Sequence, residues 1–245
     1  MRALLARFKT APPSLIAERE LRHRTDSKFV LTPAAAVELL SEIRDDYALL
    51  TNGNGALAEY RTLYFDTPAL DFFHAQRRGR RVRHKVRIRH YPDRRLSFLE
   101  VKTRRSELET VKVIQARDYD DDDLSADDHV FVRDQTGIME RLVPQAWTDF
   151  RRLALLGVLT HERVTIDFDL EVSMGERSRA FPGVAIVEVK QWPYSRTTPV
   201  MAALRAGGWR EGWLSKYCAA IGFLRPEVRR NRLLPGLRAL ERSAA

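Results

Sequence analysis

Alternate positions in the stretch 79–102 carry cationic side chains. Arg83, Lys85, Arg87 and Arg89 alternate with mostly apolar residues. A period of two places these cations on one face of a β-strand. Like charges that share a strand face repel each other unless water or anions lie against them. The pattern therefore indicates either a solvated outer face or a binding face for a polyanion.

The spacing of these four side chains, which we call the cationic row, suits the binding of phosphate groups. Alternate residues on a strand lie about 6.6–7 Å apart, similar to the separation of next-nearest phosphates in an extended chain. Guanidinium forks match phosphate oxygens, and a lysine adds a compact point charge. Alternation by itself leaves both interpretations open and favours the solvated face.

Two apolar segments end in the same tripeptide, Glu-Val-Lys, at 100–102 and 188–190. A divalent metal ion that bridges phosphate oxygens needs carboxylate ligands, while neighbouring cations neutralise the remaining charge. The alternative is cross-strand ion pairing on a surface, which contributes at most about 1 kcal/mol per exposed pair. Neither pair alone is specific, and both interpretations stay open for Glu100 and Glu188, although the repetition at two strand ends is harder to dismiss.

Composition narrows the class of partner. The 245 residues suffice for one large domain or two small ones, and 44% are hydrophobic. A net charge of +9 favours an anionic partner: a nucleotide, a nucleic acid, polyphosphate or an anionic membrane surface. Cys218 is the only cysteine, which excludes an internal disulfide. No segment approaches the roughly 20 apolar residues of a membrane span. We therefore expect a soluble, cytoplasmic protein.

Several common site motifs are absent. The sequence contains no phosphate-binding loop, no dinucleotide fingerprint and no nucleophile elbow. The six histidines show no metal-ligand spacing. The acidic run 118–128 lacks the glycine and terminal glutamate of an EF-hand loop, so we expect a solvated acidic loop there.

The elements that must position these residues are mainly strands. We count seven or eight, several with charge along one whole face, and helices that begin near Thr32 and span 199–206 and 215–223. An open sheet can carry such charge on its wet side, and a closed barrel can carry it inside. Residues 1–13 read as a loose arm, 14–224 as one domain and 225–245 as a basic tail, which we expect to pack as a helix.

Seven fragments occur in an order that resembles a known family. Together they resemble the VTC domain, the polyphosphate polymerase domain of the triphosphate tunnel metalloenzyme (CYTH-like) superfamily. The resemblance extends from about Ser14 to Leu224. The fragments are TDSKF at 25–29, YRTLYFD at 60–66, KVRIRHY at 85–91, FLEVK at 98–102, ERVTID at 162–167, IVEVK at 186–190 and SKYC at 215–218.

This resemblance implies an α+β fold: an antiparallel β-barrel, the triphosphate tunnel fold, with helices packed outside. It also implies transfer of the γ-phosphoryl group of a nucleoside triphosphate to a growing polyphosphate chain, with Mn²⁺ or Mg²⁺. The catalytic cations would be Lys28, Arg87, Arg89, Lys102, Arg152 and Lys190. Substrate would be held by Lys85, Lys112, Arg163 and Lys216, and metal by Glu188, with Glu100 as a second ligand.

The sequence departs from the family pattern in one strand. Where the family has Arg-Thr-x-Lys-x-Arg, this chain has residues 109–114, ETVKVI, which keep Lys112 and lose both arginines. The Glu-x-Glu-x-Lys motif of the superfamily's phosphatases is also missing, which argues against simple triphosphatase activity. A tunnel triphosphatase or polyphosphatase stays an alternative, and the lost arginines keep a non-catalytic polyphosphate-binding module open as another. Nucleic-acid binding ranks last, because the cationic row carries almost no aromatic side chains.

Overall fold

The computed structural model describes residues 1–19, 21, 24–51, 55–106 and 109–244. Eight strands are joined antiparallel in the order β2-β10-β9-β8-β4-β5-β6-β7, β3 pairs with β8, and β1 pairs with β3 in parallel. The strands are β1 (Lys9–Thr10), β2 (Thr25–Leu31), β3 (Tyr47–Leu49), β4 (Leu57–Asp66), β5 (Arg83–Tyr91), β6 (Leu96–Arg104), β7 (Thr110–Arg117), β8 (Val143–Gly157), β9 (Glu162–Met174) and β10 (Arg177–Gln191).

The helices surround this sheet. Thr32 accepts a hydrogen bond from the Ala35 backbone N–H, and Pro33 opens the helix, as the sequence predicts. None of the helices in the described ranges has the length and apolarity needed to cross a membrane. The helices are α1 (Arg2–Leu5), α2 (Pro13–Glu18), α3 (Pro33–Glu42), α4 (Asp71–Arg78), α5 (Ala126–Thr136), α6 (Pro199–Ala206), α7 (Lys216–Leu224) and α8 (Leu234–Ala244).

The outer face of the sheet holds the apolar half of the period-two patterns. Leu40 of α3 and Val200 of α6 join a core with Val187 and Val189 of β10. Phe72 of α4 and Val132 of α5 pack in the same way over Val86 and Ile88 of β5. Burial of these side chains removes apolar surface from water and fixes the register of each strand. The polar half of each pattern is thereby directed to the opposite face.

That opposite face is concave. In the hydrogen-bonded order, four strands separate β2 from β5. Even so, Lys28 on β2 lies close enough to Lys85 on β5 to contribute, after burial, to lowering the pKa of Lys85. Lys28 acts in the same way on Lys102 of β6. The sheet therefore curls until its two ends face each other, and we call the inside of this curl the concave face.

The expectation of a closed barrel is wrong for the residues described here, because β2 and β7 remain edge strands without a pairing between them. The fold is a mixed α/β structure with one large antiparallel sheet. Closure would bring the two edges to about 4.8 Å. Lys112 of β7 already lies opposite Lys102, and Lys28 of β2 would be forced towards both. Like charges directly opposite each other destabilise a pair of strands, so this repulsion opposes pairing between β2 and β7.

The two termini are packed rather than loose. Leu5 and Phe8, in the segment that we expected to be a loose arm, are buried in the core that α3 and α6 share. At the other end, Leu237 and Leu240 of α8 are buried beside α7, so the tail packs as a helix, as expected. We did not predict the packing of this segment because its apolar residues are too few to show a helical or strand period.

Candidate functional site

The cationic row singled out by the sequence lies on the concave face. Cross-strand pairing places Arg87 opposite Glu100 and Lys85 opposite Lys102. Of the chain's seven lysines, six lie on this face, and Lys9 is the exception. The remaining cations expected at the site come from neighbouring strands and from α7: Lys28, Arg89, Lys112, Arg152, Arg163, Lys190 and Lys216.

One end of the concave face is filled by α7 and α8. Tyr217 and Ile221 of α7 form a core with Tyr64, Phe150 and Ile186 of the sheet. This apolar plug leaves the polar part of the face to the other end. Lys216 stands at the boundary, with its ammonium group 4.4 Å from the centroid of the Phe150 ring.

Asp167 of β9 holds two of the cations. Its Oδ1 and Oδ2 accept hydrogen bonds from Arg152 Nε at 2.5 Å and Nη2 at 2.8 Å. Oδ2 also accepts from the Lys216 ammonium group. Burial alone would raise the pKa of Asp167, but Arg152 and Lys216 outweigh it and hold the pKa at about 2. This carboxylate therefore stays ionised and fixes both cations.

Sequence reasoning assigned no role to Asp167. The available signal was its position: Asp167 follows Arg163 by four residues on one strand, so a period of two puts both on the same face. Its partner Lys216 lies 49 residues away on a helix, and strand patterns cannot predict that approach.

Glu188 of β10 forms the second cluster. Its Oε2 lies 2.5 Å from Lys190 Nζ, and its Oε1 lies 3.5 Å from Lys28 Nζ. Burial opposes ionisation, but Lys190, Lys28 and nearby Arg152 hold the pKa of Glu188 well below its usual value. About 16% of the Glu188 side chain remains exposed, so its carboxylate can still meet a ligand from the concave face.

Glu100 of β6 forms the third cluster and is more enclosed. Arg87 Nη2 lies 2.5 Å from Oε2, Lys112 Nζ lies 2.7 Å from Oε1, and Arg89 Nη1 lies 3.7 Å from Oε2. Only 3% of the Glu100 side chain is exposed. Despite burial, Arg87 and Arg89 lower its pKa far below the usual range. Arg87 also donates to the Tyr64 hydroxyl at 3.2 Å.

Lys85 and Lys102 differ from these cations because neither forms an ion pair or hydrogen bond with any described residue. They are neighbours across the β5–β6 ladder. Burial and the charge of Lys28 lower the pKa of Lys85 to about 8, and burial and Lys85 lower that of Lys102 to about 8. Arg163, for which the described residues also provide no ion pair, has its pKa lowered by burial. These three side chains, which we call the uncompensated set, form no direct ion pair with a described carboxylate; Glu188 and Asp26 act on the two lysines only at longer range.

The arrangement can bind a multiply charged anion and hold it rigidly. Three carboxylates fix one set of cations, and the uncompensated set supplies excess positive charge in a partly dehydrated surrounding, where electrostatic attraction is stronger than in bulk water. Arg152 and Arg89 are further restrained by the Tyr60 ring, at 5.0 Å and 5.2 Å from its centroid. The described part of the face presents no activated serine or cysteine nucleophile; Cys218 is buried and its pKa is raised by burial to about 11.

The two carboxylates expected to bind metal differ in how well they fit one. Mg²⁺ and Mn²⁺ take oxygen ligands, and Mg²⁺ commonly binds through one or two carboxylates together with substrate phosphates. Glu188 is partly exposed and meets that requirement. Both carboxylates have cations at both oxygens, but Glu100 lies in a nearly closed surrounding, whereas Glu188 is open to the concave face. Accessibility therefore favours Glu188 over Glu100.

The acidic run that we expected to be solvated is engaged with the sheet. Asp120 contacts Arg61 at 3.1 Å, and Arg117 pairs with Asp121 and Asp128. Asp128 is part of a capping box with Ser125 at the start of α5. These ion pairs attach the acidic run to β4 and β7, and Asp128 also caps the start of α5.

The strand that departs from the family pattern is β7. Its residue Ile114 lies directly opposite Glu100 and is 55% exposed, an unusual state for an isoleucine. Ile114 stands where the resemblance leads us to expect an arginine. Lys112, the retained cation of that pattern, contacts Glu100 instead of an open space.

The structure shows a curled antiparallel sheet with cations on its inner side, an open form of the barrel that the sequence resemblance implied. A family model described as the VTC domain matches residues 23–225, and the chain therefore belongs to the VTC domain family. This confirms the family resemblance seen in the seven fragments. No curated protein sequence matches the chain.

Two solved structures are similar to this chain at low sequence identity. A putative adenylate cyclase from Bacillus halodurans is 11% identical, with a TM-score of 0.50 over 78% of this chain and 93% of its own. A putative adenylyl cyclase from Hippeastrum, described as having a dominant triphosphatase activity, is 16% identical, with a TM-score of 0.49 over 84% of this chain and 100% of its own. At 11% identity, the similarity to the Bacillus halodurans structure shows a common fold and does not extend to activity.

Proposed function

We propose that this protein transfers the γ-phosphoryl group of a nucleoside triphosphate to the end of a polyphosphate chain on its concave face. Membership of the VTC domain family supports a substrate with linked phosphates. The observation that carries the proposal is the adjacent pair Lys85 and Lys102, two half-buried ammonium groups without a carboxylate partner among the described residues. A polyphosphate chain would supply the missing negative charge.

The reaction needs positioning and charge neutralisation more than a reactive side chain. A terminal oxygen of the acceptor chain attacks the γ-phosphorus, the bond to the β–γ bridging oxygen breaks, and nucleoside diphosphate leaves. In our proposal Lys85, Lys112, Arg163 and Lys216 hold the phosphate groups of donor and acceptor in line. The charge that develops on the transferred group is neutralised by Lys28, Arg87, Arg89, Lys102, Arg152 and Lys190.

Carboxylates give these cations fixed directions. Asp167 orients Arg152 and Lys216, and Glu100 orients Arg87. A guanidinium that is already held loses little conformational entropy when phosphate binds. The arrangement is therefore preorganised for the transition state, which is how most electrostatic catalysis operates.

Glu188 is the residue that we propose to hold the metal ion, with Mn²⁺ or Mg²⁺ as the candidates. Held by Glu188, such an ion would supply positive charge to neutralise the charge that develops on the phosphate groups. Lys190 and Lys28 on either side keep Glu188 ionised, so it is a competent ligand at neutral pH. Glu100 remains a second candidate ligand from the sequence, although its contacts favour a role in orienting Arg87.

Incubation with ATP and Mn²⁺, followed by gel separation of the products, tests the proposal. We expect a ladder of phosphate chains, and a loss of at least about 100-fold in rate for Glu188→Gln. Glu176→Gln, at an exposed turn, is the matched control and should behave like the wild type. Unchanged metal-dependent turnover in Glu188→Gln would remove Glu188 from the mechanism.

One observation favours a second candidate, a polyphosphate-binding module without turnover. Ile114 on the concave face leaves the β7 side of the site with less positive charge than the family pattern provides. Tight binding of polyphosphate without product from ATP would support this candidate. Release of orthophosphate or pyrophosphate alone would instead indicate a hydrolase.

A further inference from the structure

A second polar cluster lies on the outer face of the sheet, opposite the cationic site. It contains His90 of β5 together with Asp120 and Asp122 of the segment that follows β7. One potential ligand atom from each residue lies within 4.8 Å of the other two. His90 is on the other side of its strand from Arg89, so this cluster takes no part in the concave face.

Two atoms of the cluster are buried without a hydrogen bond among the described residues: His90 Nε2 and Asp122 Oδ1. They lie 3.0 Å apart, yet their alignment does not make a hydrogen bond. Buried polar atoms are rarely left in this state, because each costs about 1–3 kcal/mol. Two ligands bound to one ion at about 2.0–2.2 Å, at angles between a right angle and a tetrahedral one, lie about 2.9–3.5 Å apart. The pair fits a shared cation better than it fits a hydrogen bond.

The other ring nitrogen of His90 has a partner. Nδ1 lies 2.6 Å from Ser97 Oγ, directly across the β5–β6 ladder. The same hydroxyl oxygen accepts a hydrogen bond from the Asp120 backbone N–H at 3.3 Å. When Nδ1–H donates to Ser97, the lone pair of Nε2 points away from the strand, as in most histidines that bind metal. His90 is fully buried, so its ring orientation is fixed by packing.

Arg61 is the one cation in contact with the cluster within the described chain. Its Nη1 lies 3.1 Å from Asp120 Oδ1, and its Nη2 lies 4.0 Å from Asp122 Oδ2. Its guanidinium also stacks on the Trp147 ring at 4.2 Å, which keeps it in place without requiring both carboxylates. Asp120 and Asp122 therefore retain oxygens for an ion.

We propose that His90, Asp120 and Asp122 bind one divalent transition-metal ion, of which Zn²⁺ is the best match. An imidazole nitrogen with two carboxylate oxygens suits borderline ions such as Zn²⁺ better than Mg²⁺ or Ca²⁺, which prefer oxygen alone. Because His90 belongs to the sheet and both aspartates to the acidic segment, the ion fastens that segment to the outer face. This inference does not depend on the proposed function.

Titration of the whole protein with Co²⁺, read by visible absorption, and with Zn²⁺, read by calorimetry, tests the site. We expect one ion to bind at micromolar or lower concentration, and Asp122→Asn and His90→Gln to bind it at least 10-fold more weakly. Ser97→Ala should weaken binding by about 10- to 100-fold through loss of the ring orientation. Asp122 is 39% exposed, so its variant should fold even if the His90 variant does not.

His84 provides a matched control. It lies on the same face of β5, and its Nδ1 contacts Thr103 Oγ1 at 3.0 Å just as His90 contacts Ser97, but no carboxylate accompanies it. His84→Gln should bind the ion like the wild type. Equal binding by Asp122→Asn and the wild type, or binding by the wild type only at millimolar concentration, would overturn the proposal.

Discussion

Lys85 and Lys102 face each other across the β5–β6 ladder, and neither forms an ion pair with a described carboxylate; Glu188 and Asp26 act on them only at longer range. Two ammonium groups in this position repel each other and are partly dehydrated, so they destabilise the folded chain. An anion bound between them would reverse both effects. Their arrangement leads to the first three predictions.

Replacement of either lysine should weaken polyanion binding more than its loss of one charge suggests. We expect Lys85→Met and Lys102→Met each to bind tripolyphosphate about 10- to 100-fold more weakly, since a hydrogen bond to a charged group contributes about 1.5–3 kcal/mol. Calorimetry without nucleotide or metal measures this directly. Lys9→Met removes the one lysine outside the site and should leave the affinity unchanged. Equal affinities for all three variants would show that the concave face is not the binding site.

Stability of the ligand-free protein should rise between about pH 8 and pH 10. Lys85 and Lys102 have pKa values of about 8 when folded and 10.5 when unfolded, so the unfolded chain binds more protons in this window. The free energy of unfolding then increases with pH. Urea denaturation at several pH values measures it, with Lys85→Met/Lys102→Met as the comparison. If the double variant shows the same rise, other groups cause it.

The same deprotonation of Lys85 and Lys102 that raises the free energy of unfolding should weaken the binding of tripolyphosphate. Deprotonation above pH 8 removes the charges that attract phosphate, so affinity for tripolyphosphate should fall as pH rises from 7 to 9. A flat profile in this range would mean that the two lysines are not in contact with the ligand.

Asp167 and Asp169 allow a buried and an exposed ion pair on one strand to be compared. Asp167 is 1% exposed and holds Arg152 and Lys216, whereas Asp169 is 47% exposed and holds Arg151. We expect Asp167→Asn to lower the free energy of unfolding by about 3–5 kcal/mol, because it leaves two buried cations without a compensating negative charge. Asp169→Asn should cost at most about 1 kcal/mol.

Acid should remove the contribution of Asp167 to stability. The folded pKa of Asp167 is about 2, against 3.8 in the unfolded chain. Its contribution is therefore complete above pH 4 and is lost as the pH falls through about 2. Urea denaturation at pH 3 and pH 7 should show that Asp167→Asn loses less stability on acidification than the wild type does.

Arginine at position 114 should restore charge on the β7 side of the concave face. We expect Ile114→Arg to bind tripolyphosphate about 2- to 10-fold more tightly at low salt, and the gain to shrink as salt increases. Met139→Arg adds the same charge at an exposed turn and serves as the control. An equal gain in both variants would indicate a general effect of net charge.

Much of the fold and of the cationic face follows from the sequence because strands repeat every two residues. Period two alone divides Arg87 and Arg89 from Val86 and Ile88, and the structure places the two sets on opposite faces. The start of α3 follows from Thr32 and Pro33 for an equally local reason. Such features depend on neighbours in the chain.

Features that depend on distant contacts were missed. Asp167 contacts Lys216, which is 49 residues away in the chain. His90 of β5 contacts Asp122, which follows two further strands, β6 and β7. The open edge was missed for the same reason, because a strand pattern is identical in a closed barrel and in a curled sheet. Only the register of the whole sheet distinguishes them.

The gap between β2 and β7 has a consequence for ligands longer than the sheet is wide. A closed ring admits a polymer only by threading from a free terminus. In the proposed reaction, an edge that is not closed by hydrogen bonds would offer the polymer a lateral route to the concave face, so access would not require a chain end.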